Sequence, residues 1–193
     1  PRCPPVTTRA RATSAPVAST KKRIALVTTG GTIEKTYDEL HGVLINAVSN
    51  LDVMLASMEL RGVVITRVPL MNKDSLEMTP EDHALIARTA DVMASSHDGV
   101  VIVHGTDRLA VSGEAIHALL PEPPVPIVLT GAMRPFALRN TDAMQNLTEA
   151  LLAVQIASPG VYVAMHNRLL RFPGVVKDRS NGTFVPKEEL ERE

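Results

Sequence analysis

The sequence has few aromatic residues and little net charge. Only 3% of its 193 residues are aromatic and none is tryptophan, so the core must be built from aliphatic side chains. Such a core favours parallel strands covered by helices. The net charge is -1 at pH 7, which provides no electrostatic footprint for a nucleic acid or an acidic membrane surface. The composition therefore argues against a polyanion-binding protein.

Cysteine and long apolar runs are also scarce. The single cysteine, Cys3, allows no internal disulfide, and no apolar run reaches the roughly 18 residues of a membrane span. Residues 1–20 carry three arginines and no acidic residue, which predicts a disordered extension, with a transit peptide as the alternative. We expect one soluble, cytoplasmic domain over residues 21–193. The histidines show no ligand spacing, so we expect no metal and no cofactor.

Apolar runs alternate with helical patterns from Lys22 onward, which predicts βαβ units and an α/β three-layer sandwich with a mostly parallel sheet. The predicted strands are the apolar run from Ile24 and residues 63–70, 99–103, 126–129 and 161–165. The predicted helices are 51–58, 80–95, 112–120 and one running from a cap at Asn140 or Thr141 to Val154. Residues 34–47 form a polar stretch that predicts a loop or loose hairpin able to act as a lid.

Three predicted strands end on similar polar sequences. These are Thr29-Gly30-Gly31, Gly105-Thr106-Asp107 and Thr130-Gly131-Ala132. In a parallel sheet their carboxyl ends lie along one edge, where hydroxyls, a carboxylate and backbone N–H groups would converge. Such groups supply a nucleophile and donors for an oxyanion. The sequence has no Gly-x-Gly-x-x-Gly after the first strand and no Gly-Lys-Ser/Thr, so acyl transfer is a better hypothesis than nucleotide binding.

Four motifs in this order resemble the bacterial-type L-asparaginases, which are threonine amidohydrolases. The motifs are TGGTI at 29–33, HGTD at 104–107, TGAMRP at 130–135 and a lysine, Lys177, after the last predicted strand. The resemblance covers residues 22 to about 184. It implies the fold of the amino-terminal domain of those enzymes and hydrolysis of L-asparagine, or a related ω-amide, to L-aspartate and ammonia. It also implies a small-molecule substrate and a homodimer or homotetramer.

The resemblance implies the residues of the site as well. It places the nucleophile at Thr29, the tyrosine of the mobile loop at Tyr37, and a second triad at Thr106, Asp107 and Lys177. The residues implied to bind the substrate are Gly30, Ser75, Gly105, Thr106, Asp107 and Ala132.

Residue chemistry refines some of these roles. A lysine normally keeps its proton at neutral pH, so we expect Lys177 mainly to orient and polarise Thr106, while Asp107 holds the substrate ammonium group. His104 follows a strand and is expected to be a structural hydrogen-bond partner rather than a base. Tyr37 and Lys177 have a simpler interpretation as ordinary exposed side chains.

One departure from the family leaves alternatives open. Typical relatives continue into a second domain that supplies an acidic residue to the active site of a neighbouring protomer, whereas this sequence ends at Glu193 and resembles short-chain forms. The alternative to an enzyme is therefore a weak or inactive amino-acid-binding protein, a sensor or a subunit, that keeps the pocket. A third hypothesis, the amidohydrolase component of a tRNA-dependent amidotransferase, would be expected to bring a basic surface that this composition does not provide.

Overall fold

The computed structural model describes residues 21–34, 36–38, 43–45 and 50–192. In chain order its elements are β1 (Lys22–Thr28), β2 (Thr36–Asp38), β3 (Val43–Ile45), α1 (Leu51–Ala56), β4 (Val63–Pro69), α2 (Pro80–Ala94), β5 (Gly99–Val103), α3 (Leu109–Leu119), β6 (Pro126–Thr130), α4 (Ala143–Ile156), β7 (Gly160–Met165), β8 (Arg168–Arg171), β9 (Val175–Asp178), β10 (Thr183–Pro186) and α5 (Lys187–Leu190). Short 3-10 helices lie at Thr32–Glu34 and Ser75–Glu77.

A six-stranded sheet with the order β4-β1-β5-β6-β7-β8 forms the centre of the fold. The first five strands run parallel and β8 is antiparallel at one edge. Strands β5, β6 and β7 are buried along their whole length, which explains why they consist of continuous aliphatic runs rather than alternating patterns. The predicted mostly parallel α/β sheet is confirmed.

Helices cover both faces of this sheet. Side chains of α2 and α3 pack into one apolar cluster, which contains Ile86 and Ile116. Side chains of α1 and α4 pack into the other cluster, which contains Met54 and Leu147. The three predicted layers are therefore present. No helix among the described residues is both long and apolar enough to cross a membrane.

Element boundaries follow the local chemistry. Helix α2 starts as predicted, with a reciprocal capping box between Thr79 and Asp82 and a proline in the first turn. The helix predicted from Ser112 instead starts at Leu109. The sequence does not reveal this start, because the residue before it, Arg108, makes no side-chain cap. The helix predicted through Met58 is shorter and ends at Ala56.

Three short strands, β8 to β10, were not among the predicted strands. Strand β8 alternates between partly buried and exposed residues over only four positions, too few for a clear period. Within 34–47 the structure describes an antiparallel hairpin of β2 and β3, with Tyr37 opposite Leu44. The remaining residues of that stretch, and the extension predicted over 1–20, lie outside the described residues.

Helix α3 anchors the segment that leads into β9. Phe172, in the connection between β8 and β9, is buried with its ring directly over Gly113 of α3, where an added Cβ would overlap the ring. Two residues beyond that ring, the backbone N–H of Gly174 donates to a carboxylate oxygen of Glu114 at 2.6 Å. The start of β9 is therefore fixed to the helix that follows β5.

We expect Gly113→Ala to lower the free energy of unfolding by about 1–3 kcal/mol, because the new methyl group must displace the buried ring of Phe172. Denaturant unfolding followed by circular dichroism measures this loss. The control is Val111→Ala on the exposed side of the same helix, with an expected change within about 0.5 kcal/mol. An unchanged stability of Gly113→Ala would contradict the anchoring of the segment by α3.

Candidate active site

Three loops meet at the carboxyl ends of β1, β5 and β6, which are neighbours in the sheet. Their contact depends on glycine. Gly31 has a φ of +94°, and a Cβ placed on it would lie 2.6 Å from the Cα of Gly105. A Cβ on Gly131 would in turn press on the carbonyl oxygen of His104 and, at 3.1 Å, on the Cγ2 of Thr106. Side chains at these positions would force the loops apart.

The second triad is assembled from two distant parts of the chain. The ammonium group of Lys177, on β9, donates to the hydroxyl of Thr106 at 2.9 Å and to Oδ1 of Asp107 at 2.9 Å. Thr106 is buried, and the side chain of Lys177 is only 15% exposed. Arg179 places a second cation 3.3 Å from the same Asp107 oxygen. Lys177 is therefore a member of this cluster and not a solvated surface lysine.

Thr29 and Thr32 occupy different positions in the first loop. The hydroxyl of Thr29 is fully buried and donates to the backbone carbonyl of Val103 at 3.0 Å. A hydroxyl held in this way inside the loop cannot reach a substrate without opening the loop, so the geometry argues against Thr29 as the nucleophile. Thr32 follows the two positive-φ glycines, begins a 3-10 helix and is partly exposed. It is the second threonine of TGGTI, and the sequence interpretation overlooked it.

The predicted substrate-binding residues border this cluster. Ser75 is buried in a 3-10 turn, and a Cβ on Gly105 would lie 2.6 Å from its hydroxyl oxygen, so the two residues are in contact. Gly30, also at φ +94°, packs against the backbone of Lys73, two residues before Ser75. Ala132 is buried directly after Gly131. The structure therefore brings all four positions to the same edge of the sheet.

Tyr37 is described only through its backbone, in the hairpin strand β2. Its side chain lies outside what the structure describes, so its role in the site stays a prediction.

A buried network supports the third loop and was missing from the sequence interpretation. The carboxylate of Asp142 accepts the backbone N–H groups of Met133 and Arg134 at 2.9 and 2.8 Å, and lies 2.8 Å from Nε2 of His166. Asn146, one helical turn further on, donates to Asp142 and to the carbonyl of Gly131. Burial alone would raise the pKa of Asp142, but these hydrogen bonds outweigh it and hold the pKa below its usual value. The only sequence signal for this network is the one-turn spacing of Asp142 and Asn146.

His104 supports the second loop as a neutral residue. Its Nδ1 lies 2.7 Å from the carbonyl oxygen of Gly105, and its Nε2 lies 2.8 Å from the hydroxyl of Ser112. Complete burial lowers the pKa of His104 to about 4. These contacts fit the expected role of His104 as a structural hydrogen-bond partner.

Comparisons with known proteins find relatives over most of the chain. A family model described as "Asparaginase, N-terminal" matches residues 23–184. The L-asparaginase of Thermococcus kodakarensis is 34% identical over 163 residues, which cover 83% of this chain and 49% of that protein. The solved structure of that thermostable enzyme matches with a TM-score of 0.77 over 85% of this chain and 51% of the other.

Two further relatives carry different names. L-asparaginase 1 of Escherichia coli K12 is 33% identical over 84% of this chain and 49% of that protein. A component of the glutamyl-tRNA(Gln) amidotransferase of Haloquadratum walsbyi is 32% identical over 83% of this chain and 37% of that protein. The chain spans about half or less of the length of these curated relatives.

The low pKa of His104 makes stability depend on pH. Below its ordinary pKa of 6.5 this histidine binds a proton in the unfolded chain, but the folded state resists protonation down to about 4. Stability present above pH 6.5 should therefore be lost as the pH falls towards 4, by about 3 kcal/mol in total. Denaturant unfolding at pH 7, 6, 5 and 4 should show a shallower decline for His104→Asn. The partly exposed His117, replaced by Asn, is the control. Equal slopes for wild type and His104→Asn would contradict this assignment.

Proposed function

Because the chain belongs to the asparaginase family, we propose that it is an amidohydrolase that cleaves the side-chain amide of L-asparagine, or of a related ω-amide, to a carboxylate and ammonia. The observation that carries the proposal is the hydrogen bond from Lys177 to the buried hydroxyl of Thr106. A protein that only binds an amino acid has no need for a threonine hydroxyl paired with an ammonium group. An acyl-transfer enzyme needs such a pair, because an unassisted hydroxyl is a weak nucleophile.

The lysine acts on the threonine through charge. Lys177 donates a hydrogen bond to Thr106, which stabilises negative charge on that oxygen as its proton leaves. Asp107 pairs with the ammonium group on its other side and balances its charge. The oxygen of a threonine attacks the amide carbon to give a tetrahedral adduct, and the leaving nitrogen takes up the hydroxyl proton. The carbon–nitrogen bond then breaks, so that ammonia departs and an acyl-threonine ester remains. Water then attacks the ester, releasing the acid and restoring the hydroxyl.

We propose that the two loops each contribute one hydroxyl, Thr32 from the first and Thr106 from the second. This replaces the predicted Thr29, whose hydroxyl is committed to the carbonyl of Val103. Backbone N–H groups of Gly31 and Thr106, at the contact between the loops, are the donors we assign to the oxyanion. The carbonyl of Ala132 would accept from the substrate amide.

The remaining binding roles follow the polarity of the cluster. Ser75 would donate to the substrate carboxylate, and Asp107 would hold its ammonium group. We also propose a homodimer or homotetramer whose loop over 34–47, which contains Tyr37, lies near the contact between protomers. The motivating feature is the mixture of apolar and acidic residues in that loop, among them Asp38 and Glu39 as acids that a neighbour could supply.

A second candidate function comes from the relatives named as components of a glutamyl-tRNA(Gln) amidotransferase, which are 31–34% identical to this chain. In this version the same site would release ammonia from glutamine for transfer by a partner protein. The two functions differ in the preferred amide, and in whether turnover requires that partner.

Ammonia release by the purified chain tests the proposal. Asparagine should yield ammonia and aspartate in equal amounts, faster than glutamine or an N-acylated asparagine does. Lys177→Met should lower kcat at least about a hundredfold by removing the charge beside Thr106. Lys187→Met, on the exposed helix α5, is the control and should change little. Binding of asparagine without ammonia release would favour the amino-acid-binding alternative, and activity only on glutamine the second candidate.

A pair of threonine variants separates the two positions of the first loop. Thr32→Ala should lower kcat at least about a hundredfold, because it removes the hydroxyl that we assign to the first loop, which belongs to a partly exposed residue. Thr29→Val keeps the shape of the side chain and removes one internal hydrogen bond, so it should cost about 1 kcal/mol of stability and change kcat less than about tenfold. Steady-state kinetics and denaturant unfolding of both variants measure these effects. The opposite ranking of kcat would restore Thr29 as the reacting residue.

A further inference from the structure

A buried chain of three side chains leads from helix α2 to the second loop of the site. Nδ1 of His83 lies 2.7 Å from the hydroxyl oxygen of Ser112, and that oxygen lies 2.8 Å from Nε2 of His104. Nδ1 of His104 lies 2.7 Å from the carbonyl oxygen of Gly105. All three side chains are buried, and the two imidazole rings are nearly parallel with centroids 6.3 Å apart. The catalytic roles assigned above use none of these three side chains.

The protons in this chain can have only one order while both histidines are neutral. A carbonyl oxygen can only accept, so Nδ1 of His104 must carry the proton, and Nε2 of the same ring must accept from Ser112. The single hydroxyl proton of Ser112 is then committed, and its oxygen must accept from Nδ1 of His83. Each group therefore donates a hydrogen bond to the next, from His83 to Ser112, from Ser112 to His104 and from His104 to the carbonyl of Gly105.

The far end of the chain does not alter this order. Nε2 of His83 is buried and has no hydrogen-bond partner among the residues that the structure describes, so nothing at this end requires a different order. Burial lowers the pKa of both histidines, that of His104 to about 4, so both rings are neutral at pH 7. Arg108 also lowers the pKa of His83, whereas Asp82 opposes that shift.

The carbonyl of Gly105 belongs to the same peptide group as the N–H of Thr106. A hydrogen bond accepted by the carbonyl increases the dipole of the peptide group and makes its N–H a stronger donor. It also fixes the orientation of that group, next to the hydroxyl that Lys177 contacts. An oxyanion donor is effective when it is held in place before the reaction.

We propose that His83 and Ser112 are positioning residues. Through the hydrogen bond that Ser112 donates to Nε2, they hold the His104 ring and strengthen its Nδ1–H as the donor that orients and polarises the peptide group between Gly105 and Thr106. The effect on turnover rests on the proposed amidohydrolase function, whereas the effect on the His104 ring and on the peptide group does not.

Three variants test the chain of hydrogen bonds. Ser112→Ala removes the central hydroxyl, and His83→Leu removes the first donor. His83→Asn is the matched control, because its amide nitrogen can replace Nδ1 as a donor to Ser112. The readouts are the ¹⁵N signals of the His104 ring, the amide signal of Thr106 by nuclear magnetic resonance, and kcat and KM for asparagine.

In the wild type we expect a single His104 tautomer, with a protonated Nδ1 and a bare Nε2. Ser112→Ala and His83→Leu should keep this tautomer, because the carbonyl of Gly105 still requires it. They should shift the Nε2 signal of His104 and the Thr106 amide signal, and lower kcat about five- to tenfold with KM within about twofold. His83→Asn should recover most of all three readouts. A merely structural role would not be rescued in the His104 and Thr106 signals by a residue of different shape.

The opposite tautomer of His104 in the wild type would overturn the proposal even if a variant failed to fold. Folded Ser112→Ala and His83→Leu proteins with unchanged His104 Nε2 and Thr106 amide signals would also overturn it. A wild-type chain that releases no ammonia but shows the expected signals would instead refute the proposed function and leave this inference standing.

Discussion

The site depends on a hydrogen bond that joins residues 71 positions apart, from Lys177 to Thr106. An ammonium group is stable in a largely buried position only when it is paired, and here Asp107 provides the charge while Thr106 provides a further acceptor. Both partners follow β5, whereas the lysine lies on β9. The position of this cation at the end of β5 therefore depends on the correct packing of the elements between β5 and β9.

Helix α3 links these two parts directly. It begins at Leu109, just after Asp107, and its Gly113 receives the buried ring of Phe172 from the segment that leads to β9. The same helix carries Ser112, the middle member of the buried chain that ends on Gly105. Through the adjacent buried residues Ser112 and Gly113, one helix thus contacts both the loop backbone and the segment that leads to the lysine.

The sequence was sufficient to predict the five parallel strands of the sheet, because most of them are continuous aliphatic runs, but not the short edge strand β8. It was also sufficient to predict that Thr106 and Asp107 lie at the site edge. Lys177 could be assigned only through the family resemblance, since nothing local distinguishes it from Arg179. Thr29 and Thr32 lie three residues apart in one motif, and only the three-dimensional structure distinguishes the buried Thr29 from the partly exposed Thr32. Asp142 was overlooked because the partners that reveal its role come from other elements.

The two edge strands of the sheet bear on how the protein avoids aggregation. Strand β4 at one edge includes Arg67 and ends on Pro69, which has no N–H to offer an incoming strand, and β8 at the other edge begins and ends on Arg168 and Arg171. An incoming strand would therefore lack a backbone partner at Pro69 and would meet arginine side chains at both ends of β8. Open-ended extension of the six-stranded sheet is disfavoured at both of its edges, so copies of this chain are expected to associate through other surfaces rather than as fibres.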